Sequence, residues 1–68
     1  MKNEFEYVQQ VDEALDTRTN GTLRHRYHIT ALSITEIDAI IYQGRVDGLS
    51  PDQTVEKLLY EAHQQTGG

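Results

Sequence analysis

The sequence predicts an α+β fold in which an antiparallel β-hairpin is followed by two α-helices, with the small sheet extended or packed across a homodimer. Asn20-Gly21 is a strong hairpin turn signal, and apolar residues alternate with polar ones from Leu23 to Ala31 just after it. Farther along, Ser33 and Ser50 each precede a segment with helical capping residues and helical apolar spacing. We expect these elements to form a single small domain over residues 1–68.

The segment before the turn admits two interpretations. Its apolar residues have the spacing of one helical face: Phe5, Val8, Val11 and Leu15. The strand after the turn, however, needs a partner, and a three-residue loop over 20–22 aligns apolar residues on a common face. That register pairs Leu15 with Tyr27, Val11 with Ala31, Thr19 with Leu23 and Asp16 with Arg26. We therefore predict the hairpin, although Glu13-Ala14 is a poor strand-forming pair.

The first helix is predicted from Ile34 to Gln43. Ser33 and Glu36 have the spacing of a capping box, in which each side chain accepts a hydrogen bond from the other residue's backbone amide. Gly44 suits the left-handed conformation that commonly ends a helix. The expected apolar stripe consists of Ile34, Ile37, Ile40 and Ile41, and Leu32 with Ile37 forms a hydrophobic staple.

The second helix is predicted from Pro51 to about Gln64. Ser50 is a suitable cap, and proline is favoured at the first helical position. The expected buried stripe consists of Val55, Leu58, Leu59 and Ala62. The polar tail, residues 64–68, is expected to be disordered.

Composition excludes several classes of protein. Six Lys and Arg against eleven Asp and Glu give a net charge of −5, which opposes binding to nucleic-acid phosphates. The absence of cysteine excludes disulfides, thiolate zinc sites and a cysteine nucleophile. A core of this size contributes only about 3–5 kcal/mol, so we expect a homodimer. With no transmembrane-length apolar run and no signal peptide, we expect a soluble protein of the cytoplasm.

No residue pattern indicates catalysis. His25, His28 and His63 lack the spacing of a metal site, and the two capping serines have no evident base beside them. We therefore expect no enzyme activity, cofactor or metal. The two consecutive helices also fit a helix-turn-helix, but six acids against two bases over residues 34–65 oppose contact with DNA.

Acidic and aromatic side chains border the isoleucine stripe of the first predicted helix. Glu36 lies along one border, and Asp38 and Tyr42 lie one turn apart along the other. Acids beside an apolar surface suit a partner that presents a protruding apolar side chain within a basic groove. An ordinary amphipathic helix with a polar outer face is the alternative.

The chain resembles the small dimeric inhibitors of uracil-DNA glycosylase made by Bacillus phages. The resemblance is carried by Asn3-Glu4-Phe5, Leu15, Gly21, Tyr27-His28 and the segment Leu32-Ser33-Ile34-Thr35-Glu36-Ile37-Asp38. It implies a strand-strand-helix protomer that dimerises, mimics DNA with its acids and captures the leucine that the glycosylase inserts into DNA.

The resemblance also implies roles for individual residues. Ile37 and Ile41 resemble the family's aromatic pocket residues, Asp38 resembles its helix glutamate, and Tyr42 lies one place after its tyrosine. The chain departs from the family where the turn lacks acids and where Arg26 replaces an acid. The predicted partner-binding residues are Glu36, Ile37, Asp38, Ile41, Tyr42 and Tyr27. The expected function is inhibition of uracil-DNA glycosylase by blocking its DNA-binding face; the alternative is a small prophage regulator or adaptor that binds another protein or operator DNA.

Overall fold

The computed structural model describes residues 3–66, and within this range it is all-helical. Helix α1 spans Glu4–Arg18, a 3₁₀ turn spans Arg26–His28, helix α2 spans Ile34–Val46, and helix α3 spans Pro51–Thr66. The described residues contain no strand. The predicted α+β fold with its β-hairpin is therefore wrong, and the chain has an all-α fold.

The segment predicted as the first strand forms α1. Tyr7, Val11 and Leu15 are spaced four residues apart, and all three are buried. Asn3 caps the helix, because its side-chain oxygen accepts a hydrogen bond from the amide of Glu6 at 2.8 Å. The helical spacing of this segment gave the correct structure because a continuous apolar face can pack against the other helices, whereas Glu13-Ala14 opposes a strand.

Asn20-Gly21 ends α1 instead of forming a hairpin turn. Both residues have positive φ angles, 54° and 81°, and the Gly21 amide donates to the Asp16 carbonyl at 2.9 Å. This hydrogen bond is typical of the Schellman motif at a helix C-terminus. Because two-residue hairpin turns and helix ends both require positive φ, the dipeptide does not distinguish between them.

The predicted cross-strand pairs are replaced by other contacts. Arg26 forms a salt bridge with Asp12 at 2.8 Å, while Asp16 lies 3.9 Å from Arg24. The connection from α1 to α2 is held to the core by two buried apolar residues, Ile29 and Leu32. Among residues 3–66, the buried core cluster consists of Tyr7, Val11, Leu15, Ile29, Leu32, Ile37, Ile41, Val55 and Leu58.

Helix α2 begins as predicted and ends later than predicted. The capping box is confirmed, since Ser33 and Glu36 exchange side-chain to backbone hydrogen bonds, each at 3.1 Å. Gly44 is buried inside the helix, and Gly48 adopts the left-handed conformation with φ 76°. The Leu49 amide then donates to the Gly44 carbonyl at 2.9 Å, which completes a Schellman motif one turn beyond the predicted end.

Helix α3 has the predicted cap and buried stripe. Ser50 and Gln53 exchange side-chain to backbone hydrogen bonds at 2.9 and 3.2 Å, and Pro51 is the first helical residue. Val55 and Leu58 are fully buried, whereas Leu59 and Ala62 of the predicted stripe are only partly buried. The helix continues two residues beyond Gln64, and residues 67–68 lie outside the described range.

An ion-pair cluster joins the end of α1 to the start of α3. Arg18 pairs with Glu56 at 2.9 Å and with Asp52 at 3.4 Å. The hydrogen bond that the Arg18 guanidinium donates to Glu56 is the main cause that raises the pKa of Arg18 above its ordinary value. Because all three side chains are solvent-accessible, the cluster orients α1 against α3 more than it stabilises the fold.

None of the helices within residues 3–66 is both long enough and apolar enough to span a membrane.

Candidate functional site

A groove runs along one side of α2, where α1 and the 3₁₀ turn approach it. We call it the α2 groove; it has a volume of about 410 Å³. Volumes of this order fall within the range of about 300–1,000 Å³ that is usual for sites binding a small group. The groove is lined by Glu4, Val8, Arg26, Tyr27, Asp38, Ile41, Tyr42 and Arg45.

A hydrogen bond connects the 3₁₀ turn to α2 at one end of the α2 groove. The Tyr27 hydroxyl donates to Oδ1 of Asp38 at 3.0 Å. His25 helps to form the turn, because its ring nitrogen Nδ1 accepts from the Tyr27 amide at 3.3 Å. The tyrosine ring is thereby fixed as one wall of the groove, with 38% of the residue exposed.

Asp12 fixes the position of the turn relative to α1. Its two carboxylate oxygens accept hydrogen bonds from the Arg26 amide at 3.0 Å and from the Arg26 guanidinium at 2.8 Å. The guanidinium also lies 4.5 Å from the centre of the Tyr27 ring, a distance suited to a cation–π contact. Arg26 therefore lines the groove with a charge that is already neutralised within the protomer.

Tyr42 and Arg45 form the opposite part of the lining. The Arg45 guanidinium lies 5.7 Å from the centre of the Tyr42 ring, and 57% of Tyr42 is exposed. Within residues 3–66, Arg45 has no ion pair. Glu4 of α1 also lines the groove. The groove thus combines aromatic walls with side chains of both charges.

The groove has an apolar floor and a balanced charge. Val8 is partly buried and Ile41 is 4% exposed, so these two side chains present aliphatic surface at the bottom of the groove. Two carboxylates and two guanidiniums line it. The groove can therefore contact a partner side chain through aliphatic, aromatic and charged groups together.

The structure brings together four of the six predicted partner-binding residues. Tyr27, Asp38, Ile41 and Tyr42 all line the α2 groove. Ile37 does not, because it is 1% exposed and belongs to the core. Glu36 is also absent from the lining, and its side chain is engaged in the capping box at the start of α2.

Four lining residues were missed by the sequence analysis: Glu4, Val8, Arg26 and Arg45. Glu4 and Val8 reach the groove only because α1 is a helix. Arg45 lies beyond the predicted end of α2, although its position one turn after Tyr42 would have placed it on the same side of a longer helix. Arg26 was assigned to a strand face, and no sequence signal indicated Asp12 as its partner.

The histidines do not form a metal-binding cluster. Among residues 3–66, no three side chains of His, Cys, Asp or Glu are grouped to hold a metal ion. His25 lies 3.7 Å from Asp12, and its ring centre is 6.0 Å from that of His28. The contact with Asp12 links the start of the 3₁₀ turn to α1, and the ring contact lies within the turn.

In comparisons with known proteins, no family model, curated protein or solved structure matched this chain.

Proposed function

We propose that this chain inhibits uracil-DNA glycosylase by binding the enzyme's DNA-binding face through the α2 groove. The observation that carries the proposal is the convergence of Tyr27, Asp38, Ile41 and Tyr42 on one groove. The helical pattern predicts Asp38 and Tyr42 at the border of the isoleucine stripe, and the family resemblance adds Ile41 and Tyr27. The function is binding without turnover.

The groove suits the leucine that such an enzyme inserts into DNA. Its floor is the aliphatic surface of Val8 and Ile41, and its walls are the rings of Tyr27 and Tyr42. Burying one leucine side chain contributes about 1.5–3 kcal/mol, which is too little for tight inhibition. Charged contacts around the groove must supply the rest of the binding free energy.

The negative charge needed to imitate DNA lies mostly outside the groove. Salt bridges engage Asp12, Asp16, Asp52 and Glu56, which leaves seven of the eleven acidic side chains without an ion pair in the described chain. A surface with this surplus attracts a DNA-binding face, which is basic. The inhibition should therefore weaken as the salt concentration rises.

The family resemblance supports the target but not the fold. The strand-strand-helix protomer that it implies is contradicted by the all-helical structure. What remains is local: Tyr27 and Asp38, which carry part of the resemblance, are hydrogen-bonded to each other at the groove. The proposal therefore depends on the chemistry of this groove and on the net charge.

A regulator that binds operator DNA is the competing function, because α2 and α3 are consecutive helices joined by a short turn. The charge of α3 opposes it. Asp52, Glu56 and Glu61 are exposed on the helix that would have to approach phosphates. A mobility-shift measurement with duplex DNA tests this alternative, and a shift at physiological salt would favour it.

The proposed function is tested by measuring uracil excision from DNA by a purified glycosylase in the presence of increasing amounts of this protein. We expect excision to fall as the inhibitor approaches the enzyme concentration. The Tyr42→Ala and Asp38→Lys variants should inhibit at least ten-fold less well, a loss of about 1.4 kcal/mol of binding free energy or more. Full excision at a large molar excess of the wild-type protein would reject the proposal.

Matched control variants are available on α3. Tyr60 is 62% exposed, similar to Tyr42, and Glu61 is exposed without an ion pair within residues 3–66. Neither residue lines the α2 groove. Tyr60→Ala and Glu61→Lys should therefore inhibit like the wild type, and an equal loss in all four variants would count against the groove as the binding site.

A further inference from the structure

Helix α2 carries a second stripe of small and apolar residues on the side away from the core. This outer face consists of Thr35, Ala39, Tyr42 and Val46, all of which are exposed. Tyr42 and Val46 are 57% and 58% exposed, and together with Ala39 they form a contiguous apolar strip along the helix. The packing of the protomer gives no reason for this stripe, since α2 contacts the core through Ile37, Ile41 and Gly44.

The spacing of the outer face is that of a helix that packs against another helix. Its members are separated by four, three and four residues, the alternation of the a and d positions in a heptad repeat. At 3.6 residues per turn, they lie within about 60° of one another around the helix axis. The outer face can therefore meet a partner helix along nearly the whole length of α2.

Opposite charges flank the outer face at heptad spacing. Asp38 and Arg45 are seven residues apart and occupy the same flank, while Glu36 and Gln43 occupy the other. Within residues 3–66, neither Asp38 nor Arg45 forms an ion pair. The Tyr27 hydroxyl binds Oδ1 of Asp38 and leaves the other carboxylate oxygen for a second donor.

This arrangement is self-complementary. When two copies of such a helix pack antiparallel, flanking residues of the same heptad position face each other across the interface. Asp38 of one copy then faces Arg45 of the second copy, and the two-fold axis repeats the pair. A parallel pairing would set Asp38 beside Gln43 and leave both charges unmatched.

We propose that the outer face of α2 binds a second copy of this chain, with the two α2 helices antiparallel and two symmetric Asp38–Arg45 ion pairs. The small core of a chain of this length predicts association, and the outer face with its flanking charges supplies the surface for it. The inference depends only on the outer face and on its two flanking charges. Because Asp38, Tyr42 and Arg45 also line the α2 groove, a second copy bound here covers part of the proposed glycosylase site.

The contact is small, so the dimer is expected to dissociate on dilution. Four residues per copy correspond to an interface below about 1,200 Å² in total, the range of weak and transient complexes. The ion pairs are partly solvated and mainly determine the direction of pairing. The net charge of −5 on each copy opposes association further, and salt relieves this repulsion.

The test is sedimentation equilibrium of the full chain over a wide range of concentrations. We expect a monomer-dimer equilibrium that shifts at least ten-fold toward monomer in Ala39→Lys. Ala39 is exposed and lines neither the core nor the α2 groove, and lysine is a good helix former that lowers the net repulsion between copies. Circular dichroism melts should show that the variant folds like the wild type.

Charge reversal tests the antiparallel arrangement. Asp38→Arg and Arg45→Asp should each weaken association, and the double variant should restore it, because the ion pairs are then re-formed with exchanged signs. The double variant still lacks the Tyr27–Asp38 hydrogen bond, so a recovery cannot result from repair of the protomer.

Three outcomes would overturn the inference. They are a wild-type chain that stays monomeric at its highest soluble concentration, an Ala39→Lys variant that dimerises like the wild type, and a double variant that associates no better than the single ones. None of these results depends on glycosylase inhibition, which Ala39→Lys leaves available for separate measurement.

Discussion

Thr54 of α3 packs its side chain directly against Gly44 of α2, at a point where no space remains for a side chain on residue 44. A Cβ atom there would overlap the Thr54 hydroxyl. This close approach allows α2 and α3 to pack around the fully buried Val55 and Leu58. Gly44 is therefore required by the contact between two helices, and its backbone remains helical.

We expect Gly44→Ala to lower the free energy of unfolding by about 1–3 kcal/mol, the usual cost of inserting an atom into a packed interior. In an exposed helix the same substitution would be stabilising by about 1 kcal/mol. Urea denaturation of the wild type and the variant measures the difference. In a Thr54→Ala background the cost should be smaller, because the overlapping atoms are absent; an equal cost in both backgrounds would contradict the packing explanation.

The Tyr7 hydroxyl links α1 to the start of α3 by hydrogen bonds. The hydroxyl donates to the Leu49 carbonyl at 3.0 Å, so its single proton is used there, and Thr54 donates to it in turn. Tyr7→Phe should lower the free energy of unfolding by about 1–3 kcal/mol, because buried polar atoms lose their partner.

Tyr60→Phe is the matched control for this prediction in the same denaturation experiment. Tyr60 is 62% exposed, and the change should stay within about 0.5 kcal/mol of the wild type. Equal small effects of both substitutions would show that the Tyr7 hydroxyl contributes no net stability.

Asp12 holds the connection between α1 and α2 in place. We expect Asp12→Ala to lower the free energy of unfolding by about 1.5–3 kcal/mol, because the Arg26 amide and its largely buried guanidinium lose their acceptor. Hydrogen exchange at the Arg26 amide should accelerate.

Asp16→Ala provides the comparison, since Asp16 lies 3.9 Å from a guanidinium whose side chain is 77% exposed. Such surface pairs contribute about 0–1 kcal/mol. If Asp16→Ala lowers the free energy of unfolding as much as Asp12→Ala does, the distinction between the buried and the exposed pair is wrong.

Part of the α2 groove was predictable from the sequence because it lies on one helix. The capping box at Ser33 fixes where α2 begins, and the periodicity then places Asp38, Ile41 and Tyr42 on neighbouring positions. Tyr27 was also predicted to bind the partner, but as part of a strand that the structure does not contain. Its approach to Asp38 depends on the path of the connection after α1, which no local pattern specifies.

The end of α2 was predicted one turn too early because a glycine can either end a helix or allow close packing inside one. The sequence offers Gly44 and Gly48, and either can adopt the left-handed conformation that ends a helix. Only the contact with Thr54 shows that Gly44 is needed for its lack of a side chain. Arg45, which follows Gly44, was consequently excluded from the site.

By itself, the sequence determined the starts of α2 and α3 and part of their buried stripes, because capping and helical periodicity are interactions between residues a few positions apart. Ile34, which was predicted in the α2 stripe, is 61% exposed. The tertiary structure alone decided that the first segment is a helix, that Asn20-Gly21 ends it, and that Asp12 holds Arg26. Those outcomes depend on which surfaces can be buried together. Contacts between residues distant in the chain supply the free energy of that burial. This free energy outweighs the small local preferences that favoured a strand.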